Sequence, residues 1–275
     1  MNKKIGFILA LVLISLMMVG TASAGLFDFL GGNNANQTAN DNETFIVGFD
    51  AEFPPYGYKD ANGSYVGFDL DLAKEVCERN NWTFKAQPID WDAKDAELDS
   101  GSIDCIWNGF TIDGRENDYT WSNPYFDNKQ IFVVKSDSGI NSIADLKGKT
   151  VETQKDSSAL AALQGDNKTV ADTFGTLTEV DYYNTAFMDL ESGACQAVAM
   201  DIGVAEYDIS QKNNTADFKI LNESITTEKY GIGFKKGNDA LKDTVQKTLD
   251  EMFKDGTVLE IAQKYGISED ALIQG

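Results

Sequence analysis

The sequence predicts an α/β protein built on open, mostly parallel β-sheets. Short apolar runs alternate with segments of helical periodicity along the chain, and no short repeat interrupts that alternation. Alternating strands and helices are typical of parallel sheets. Of the 275 residues, 42% are hydrophobic, which is an ordinary globular composition. A chain of this length forms one large domain or two of roughly 100–150 residues each.

Runs rich in β-branched and aromatic residues predict the strands, because such side chains suit a pleated, half-buried surface. The first run, 45–49, is almost wholly apolar. A hairpin turn is predicted over 59–64, because the pair Asn62 and Gly63 supplies the positive φ angles that a tight turn requires. The predicted strands are 45–49, 83–87, 103–107, 129–135, 150–153, 197–200 and 229–234.

Apolar residues that share one face predict the helices. In the segment 69–80, acidic residues occupy the first turn, and Leu72, Ala73 and Val76 lie on one side. Glycines at 256 and 266 are expected to end the last two helices. The predicted helices are 69–80, 143–147, one that begins at 157, 184–192, one that ends near 210, 241–252 and 258–265.

The N-terminal segment has the pattern of an export signal. Lys3 and Lys4 precede the apolar run 5–20, and Ala22-Ser23-Ala24 matches a signal-peptidase site. We predict a signal peptide over 1–24 and a flexible linker over 25–43, with an uncleaved signal anchor as the alternative. The region holds no cysteine, which excludes a lipid anchor on an N-terminal cysteine.

Composition removes several classes of function. The net charge of -21 argues against nucleic acid as a partner. The chain has no histidine, so mechanisms that need a histidine base or histidine zinc ligands are excluded. Three cysteines cannot form a disulfide framework. Cys77 and Cys105 could face each other, but free buried thiols are the preferred interpretation.

The candidate site consists of polar and aromatic residues that follow strands, because open α/β sheets bind ligands at the carboxyl ends of their strands. Arg115 offers a planar fork for a carboxylate, and Asp201 can neutralise an ammonium group. A ligand held at both ends in this way is an α-amino acid. The predicted ligand-binding residues are Asp50, Phe53, Trp91, Asn108, Gly109, Thr111, Arg115, Gln154, Ser158 and Asp201.

Simpler structural roles are open for the same residues. An aspartate after a strand is commonly a helix N-cap, which is the alternative for Asp201. Arg115 lies in an acidic stretch and could form a surface ion pair. Phe53 and Trp91 could belong to the core.

Taken in order, the motifs resemble the extracellular solute-binding proteins of polar amino-acid ABC transporters, family 3. The resemblance covers roughly residues 44–266 and includes Asp50-Ala-Glu-Phe-Pro-Pro-Tyr56 and Asn108-Gly-Phe-Thr-Ile-Asp-Gly-Arg115. The other matching segments are 67–72, 100–106, 121–125, 145–149, 154–158 and 200–201.

The resemblance implies a two-lobe type II periplasmic-binding-protein fold with two crossover hinge strands. Lobe one would comprise 44–130 plus 231–275, and lobe two 135–227. The hinge would lie near 130–135 and 228–231.

The resemblance also implies a role for each site residue. Gly109, Thr111, Arg115 and Ser158 would hold the ligand carboxylate, and Asp201 the ammonium group. Phe53 and Trp91 would flank the ligand side chain, and Asp50 would reach its polar end. Two departures concern the site: Arg115 follows Thr111 by four positions rather than the usual five, and Asp156 occupies a position where glycine is usual.

The implied function is binding of a polar L-amino acid, of the glutamine, histidine, lysine/arginine or cystine class. Hinge closure would precede delivery to a membrane ABC permease with its ATPase. We expect an exported monomer, periplasmic or at the cell surface, without cofactor or enzymatic activity. The alternatives are a dehydratase-like enzyme, with Glu52 as the only base to propose, and a ligand-sensing module for a receptor.

Overall fold

The computed structural model describes residues 43–274. The predicted signal peptide and nearly all of the predicted linker lie outside these residues. The strands are β1 (Thr44–Phe49), β2 (Glu52–Phe53), β3 (Gly57–Lys59), β4 (Tyr65–Val66), β5 (Thr83–Pro88), β6 (Cys105–Ile106), β7 (Thr120–Trp121), β8 (Phe126–Lys135), β9 (Thr150–Gln154), β10 (Thr176–Val180), β11 (Ala197–Asp201), β12 (Phe218–Ile220), β13 (Thr226–Tyr230) and β14 (Gly233–Phe234).

Helices alternate with these strands, as the sequence predicts. The α-helices are α1 (Phe68–Asn80), α2 (Lys94–Ser100), α3 (Ser158–Gln164), α4 (Lys168–Ala171), α5 (Tyr183–Ser192), α6 (Ile202–Ser210), α7 (Asp239–Asp255) and α8 (Thr257–Lys264). Single 3-10 turns cover Trp91–Ala93, Ile143–Leu146, Thr215–Asp217 and Glu269–Ala271. Among residues 43–274, no helix combines the length and apolar character needed to cross a bilayer.

The first sheet has the strand order β5-β1-β6-β14-β7. Strands β5, β1 and β6 run parallel, and β14 joins them antiparallel to β6. A small separate sheet of β2, β3 and β4 contains the predicted hairpin. Its turn is fixed by the Asp60 carboxylate, which accepts hydrogen bonds from the backbone N–H groups of Asn62 and Ser64, and by Gly63 at φ 84°.

The second sheet has the strand order β10-β9-β11-β8-β12, with β13 also paired to β8. Strands β10, β9 and β11 are parallel, whereas β8 is antiparallel to β11, β12 and β13. The chain passes from the first sheet to the second along β8 and returns along β13. These two strands pair directly, with Phe126 opposite Tyr230 and Gln130 opposite Thr226.

The prediction of a single strand over 229–234 is wrong. The chain instead forms β13 in the second sheet and β14 in the first, separated by Gly231 and Ile232. The change of sheet was hidden because Tyr230, Ile232 and Phe234 alternate with other residues as they would in one continuous strand. Gly231 marks it, because a Cβ there would lie 2.7 Å from Cδ1 of Ile112.

Two other predicted strands differ from the structure in their bounds, and several elements have no predicted counterpart. The strand predicted over 103–107 is paired only at Cys105–Ile106, and the one predicted to begin at 129 begins at Phe126. Helix α2 and strand β10 were not predicted. Both have a largely polar composition, Lys94–Ser100 with three acidic residues and Thr176–Val180 with two threonines and a glutamate, which weakens the apolar periodicity on which the prediction rests.

The main apolar core extends from the first sheet to the second. It joins Phe49 and Trp107 of the first sheet region to Ile131 and Met200 of the second, with Tyr56 among them. Cys77, Cys105 and Cys195 are free and buried in it, which confirms the interpretation of Cys77 and Cys105 as buried thiols. One apolar cluster therefore contains side chains from both sheets.

Candidate ligand-binding cleft

A narrow cleft lies where the two sheets face each other, with an enclosed volume of about 20 Å³. This volume is far below the roughly 300–1,000 Å³ typical of small-molecule sites and is close to the space that one water molecule needs, so the cleft is nearly closed. All ten residues predicted from the sequence line it, together with Ser157: Asp50, Phe53, Trp91, Asn108, Gly109, Thr111, Arg115, Gln154, Ser158 and Asp201. Glu52, the base considered for an enzyme, is exposed and is not among the lining residues.

Arg115 is half-buried at one end of the cleft. Its Nη1 donates to the carbonyl of Thr111 at 3.3 Å, and its Nη2 donates to the carbonyl of Asp156 at 3.1 Å. The guanidinium lies 5.4 Å from the ring centroid of Phe110. No carboxylate pairs with Arg115 among residues 43–274, so the surface ion pair that was the alternative does not form.

A tight turn accommodates the short spacing between Thr111 and Arg115. The N–H of Arg115 donates to the carbonyl of Ile112 at 2.8 Å, and Gly114 adopts φ 82°. Residues other than glycine rarely adopt this φ. The turn therefore directs Arg115 back toward the cleft although the segment after Thr111 is one residue shorter than usual.

Asp69 fixes the loop that carries Asn108, Gly109 and Thr111. Its Oδ2 accepts a hydrogen bond from the N–H of Gly109 at 2.5 Å, and its Oδ1 accepts one from the hydroxyl of Tyr125 at 2.8 Å. Burial raises the pKa of Asp69 to about 7. The sequence placed Asp69 only in the first turn of a helix, and its reach toward Gly109 depends on the tertiary structure.

Asp50 lies at the other end of the cleft and is 1% exposed. Its Oδ2 accepts a hydrogen bond from Nε2 of Gln154 at 2.6 Å, and its Oδ1 accepts one from the N–H of Glu52 at 2.8 Å. Burial raises the pKa of Asp50 to about 6, although both hydrogen bonds oppose the shift. Asp50 belongs to the first sheet and Gln154 to the second, so their contact spans the cleft.

Asp201 is buried between β11 and the start of α6. It occupies the N-cap position of α6 but makes no side-chain capping hydrogen bond, so the simple N-cap interpretation fails. Its Oδ1 accepts hydrogen bonds from Asn128 and Gln130 at 2.7 Å and from the hydroxyl of Tyr230 at 2.6 Å. Burial, followed by the charge of Glu228, raises the pKa of Asp201 to about 7.

The two serines at the start of α3 have different roles. The hydroxyl of Ser157 accepts a hydrogen bond from the N–H of Leu160 at 3.1 Å and caps the helix. The hydroxyl of Ser158 donates to Glu228. Glu228 was not predicted as a site residue, because the sequence treated it only as part of a hinge.

Aromatic rings and one amide complete the walls. Trp91 packs edge-on against Phe110 at 5.4 Å, and Phe53 lies 6.1 Å from Tyr183. Both amide atoms of Asn108 are buried and lack hydrogen-bond partners within residues 43–274. Buried amides are ordinarily paired, so Asn108 has donor and acceptor capacity to offer a ligand.

Asp156 shows why glycine is usual at its position. It adopts φ 52°, in the left-handed region that favours glycine. Its carboxylate forms an ion pair with Nζ of Lys94, a side chain that is 2% exposed. Lys94 begins α2, beside the first sheet, whereas Asp156 follows β9 of the second, so this contact also spans the cleft.

The sequence profile of the bacterial extracellular solute-binding proteins, family 3, matches residues 45–268. The chain belongs to this family. The match covers most of the described residues, including every element of both sheets except the first residue of β1.

Individual members support the assignment. The chain is 29% identical over 225 residues to the L-cystine-binding protein TcyJ of Escherichia coli (strain K12), covering 81% of this chain and 82% of that one. An ABC uptake transporter substrate-binding protein of Streptococcus pneumoniae with bound histidine has a TM-score of 0.81 and 33% identity, covering 86% of this chain and 96% of that one. An ancestral arginine-binding protein bound to arginine has a TM-score of 0.74 and 40% identity, covering 81% and 97%.

These relatives confirm the predicted fold class, a two-lobe type II fold with two crossover hinge strands. Strands β8 and β13 are the crossovers. The exact limits of the two lobes stay a prediction. These relatives are amino-acid-binding proteins rather than enzymes.

Proposed function

We propose that the protein binds one polar L-amino acid in the cleft and delivers it to the permease of an ABC transporter. The observation that carries the proposal is that two opposite charges line the same small cleft: the guanidinium of Arg115, which has no carboxylate partner within residues 43–274, and the buried carboxylate of Asp201. A zwitterion presents one partner to each. Relatives that bind cystine, histidine and arginine support the same ligand class.

In this proposal the ligand carboxylate binds to Arg115 with Gly109, Thr111 and Ser158 around it. Arg115 can contact a carboxylate in a bidentate manner, and such charge-assisted pairs are roughly twice as strong as neutral hydrogen bonds. The carbonyls of Thr111 and Asp156 hold its guanidinium in place. Because these contacts exist before binding, less conformational entropy is lost when the ligand enters.

The ligand ammonium group binds to Asp201 and its side chain points toward Asp50. Phe53 and Trp91 flank the side chain, while Asn108 and Gln154 supply amide groups. Asp50 favours a side chain that carries a cation or hydrogen-bond donors, since its carboxylate is buried without a cationic partner among the described residues. We therefore expect arginine, lysine, histidine, glutamine or cystine rather than glutamate or aspartate.

Binding and transport are linked through closure of the two lobes. Contacts from both sheets meet at the cleft, as Asp50 with Gln154 and Lys94 with Asp156 show. A ligand that contacts both sides stabilises the closed form, because it binds that form better than the open one. The closed, exported protein would then dock on its membrane permease.

A thermal-shift screen of the purified protein against the individual amino acids and cystine tests this proposal. A ligand that binds only the folded state adds about 2.7 kcal/mol of stability at a concentration 100-fold above its Kd. We expect a shift with one or a few amino acids that have donor-bearing side chains. If no amino acid shifts the midpoint while a keto acid or prephenate does, the enzyme alternative replaces the proposal.

A further inference from the structure

Glu228 is a buried carboxylate on the returning hinge strand β13. It is 4% exposed, whereas its neighbours Thr227 and Lys229 are exposed. Glu228 lies opposite Asn128 in the β13–β8 pair, and Asp201 lies opposite Gln130 in the β11–β8 pair. Residues 128 and 130 share one face of β8, so the register of three strands brings two acids and two amides together.

The two acids share their hydrogen-bond donors. Nδ2 of Asn128 and Nε2 of Gln130 each donate to Oδ1 of Asp201 and to Oε1 of Glu228, and all four distances are 2.7 Å. The second oxygen of Glu228 accepts from the hydroxyl of Ser158. Within residues 43–274, no hydrogen bond reaches Oδ2 of Asp201, the residue that lines the cleft.

No positive charge compensates the two acids. Among residues 43–274, neither carboxylate forms an ion pair with lysine or arginine. The titratable groups around them are the hydroxyls of Tyr56, Tyr183 and Tyr230, with the acids Asp69 and Glu206 next to Tyr56. Burial and the neighbouring charge of Glu228 both disfavour ionisation of Asp201, and they outweigh the hydrogen bonds that favour its ionised form.

We infer that Asp201 and Glu228 act as a carboxylate pair that holds one proton in the empty cleft and releases it to solvent when the ligand ammonium group binds. The ammonium supplies the positive charge that the proton supplied before, at the free oxygen of Asp201. Glu228 is thus a positioning residue: it sets the charge of the ammonium site and orients Ser158 without touching the ligand. This inference rests on the proposed amino-acid ligand.

The pH dependence of L-arginine binding tests the inference. Below the pKa of Asp201, which is about 7, each ligand must displace a proton, so affinity is expected to fall about tenfold for each further pH unit. In Glu228→Gln, the pH at which affinity begins to fall should move downward, because the second charge is gone. In Ser158→Ala, the pH at which affinity begins to fall should move upward, because the ionised form of the two carboxylates loses a hydrogen-bond donor.

Glu206→Gln is the matched control, since this neighbouring glutamate is exposed and outside the cleft lining. This substitution should leave unchanged the onset, the pH at which affinity begins to fall. Equal onsets in the wild type, Glu228→Gln and Ser158→Ala would overturn the inference.

A second measurement needs no ligand. The thermal midpoint of the empty protein should rise as pH falls through the same onset, with the same downward and upward shifts in the two variants. If no amino acid binds, the proposed function fails, but these midpoints still decide whether the pair holds a proton. Identical midpoint profiles in all proteins would overturn the inference on their own.

Discussion

At the scale of single residues, Arg115 carries the only guanidinium of the cleft. The chain has one other arginine, Arg79, which lies in ion pairs with Glu75 and Asp255. Arg115 has no such partner among residues 43–274, so its charge is available to a ligand. The two arginines therefore provide a functional variant and a matched control.

Arg115→Ala is expected to abolish most detectable amino-acid binding. The variant leaves the ligand carboxylate in the cleft without its counter-charge, at a cost of about 2–5 kcal/mol. That cost weakens the Kd by roughly 30-fold to several thousand-fold. Titration calorimetry with the amino acid selected by the thermal-shift screen measures the change.

Arg79→Ala should leave the Kd unchanged while it lowers stability slightly, because exposed pairs contribute about 0–1 kcal/mol. Wild-type affinity in Arg115→Ala would show that the ligand carboxylate binds elsewhere. Equal losses in both variants would indicate a general effect on folding.

Asp50 is expected to select the ligand side chain. Asp50→Asn removes the carboxylate that a cationic side chain would contact, and hydrogen bonds to charged groups contribute about 1.5–3 kcal/mol. L-arginine should therefore lose about tenfold to a hundredfold in affinity, and L-glutamine less, since its amide can pair with Asn. Competition binding with both amino acids measures the ratio.

Glu52→Gln is the control for Asp50→Asn. Glu52 is two residues away, exposed, and outside the cleft lining. Its substitution should not alter the arginine-to-glutamine ratio. A ratio that stays constant in Asp50→Asn would place the ligand side chain away from Asp50.

At the scale of elements, the sequence predicts the cleft through the ends of strands. Asp50 follows β1 and Asp201 ends β11, and parallel strands bring such positions to one edge of a sheet. The sequence is enough to predict the positions of these residues, because each lies at the end of a strand and the apolar residues of that strand make it recognisable.

The residues that the sequence did not predict act through long-range contacts. Glu228 reaches the site only because β13 pairs with β8, and a single predicted strand concealed β13. Asp69 reaches Gly109 across 40 positions of sequence. Lys94 is buried by its pairing with Asp156, and a charged residue in a polar helix gives no sign of burial. None of these contacts has a local periodicity that could indicate it.

The ion pair of Lys94 and Asp156 connects α2 to the loop after β9 and should favour the closed cleft. Lys94 is buried but Asp156 is exposed, and Asp95 also lies 3.8 Å from Nζ of Lys94. Removing Asp156 therefore leaves the buried ammonium group with only the longer ion pair, whereas replacing both partners is less costly. Lys94→Met and Asp156→Asn should each weaken ligand binding, and the double variant should lose less than the sum. A coupling energy of about 0.5–3 kcal/mol is expected from the double-mutant cycle.

Asp156→Gly removes the charge of this residue but preserves its backbone conformation, so the two contributions can be measured separately. Glycine adopts the φ of 52° without strain, so this variant should fold at least as stably as Asp156→Asn. It should still lose the coupling to Lys94. Strictly additive losses in the cycle would show that the pair does not contribute to closure.

At the scale of the whole molecule, several buried carboxylates make stability depend on pH in an unusual direction. Burial is the largest cause that raises the pKa of Asp50 to about 6 and of Asp69, Asp201 and Asp208 to about 7. In the unfolded chain such groups have a pKa near 3.9. Between these values the folded protein binds more protons than the unfolded chain, so its stability falls as pH rises.

The free energy of unfolding of the empty protein should therefore decrease from about pH 4 to about pH 7, by about 1.4 kcal/mol per pH unit for each group that is protonated only in the folded state. Denaturant titrations across this range measure the slope. The net charge of -21 also destabilises the folded state at high pH, but about 1 M salt screens exposed charges far more than buried ones.

Saturating ligand separates the cleft carboxylates from the structural ones. Bound L-arginine would place its ammonium group beside Asp201 and its guanidinium beside Asp50, so both carboxylates should ionise and cease to contribute to the slope, whereas Asp69 and Asp208 continue to do so. The slope in high salt should therefore become shallower with ligand but remain negative. A slope that vanishes in salt alone would assign the whole effect to surface charge, and a slope that ligand leaves unchanged would place the ligand's positive charge away from the two cleft carboxylates.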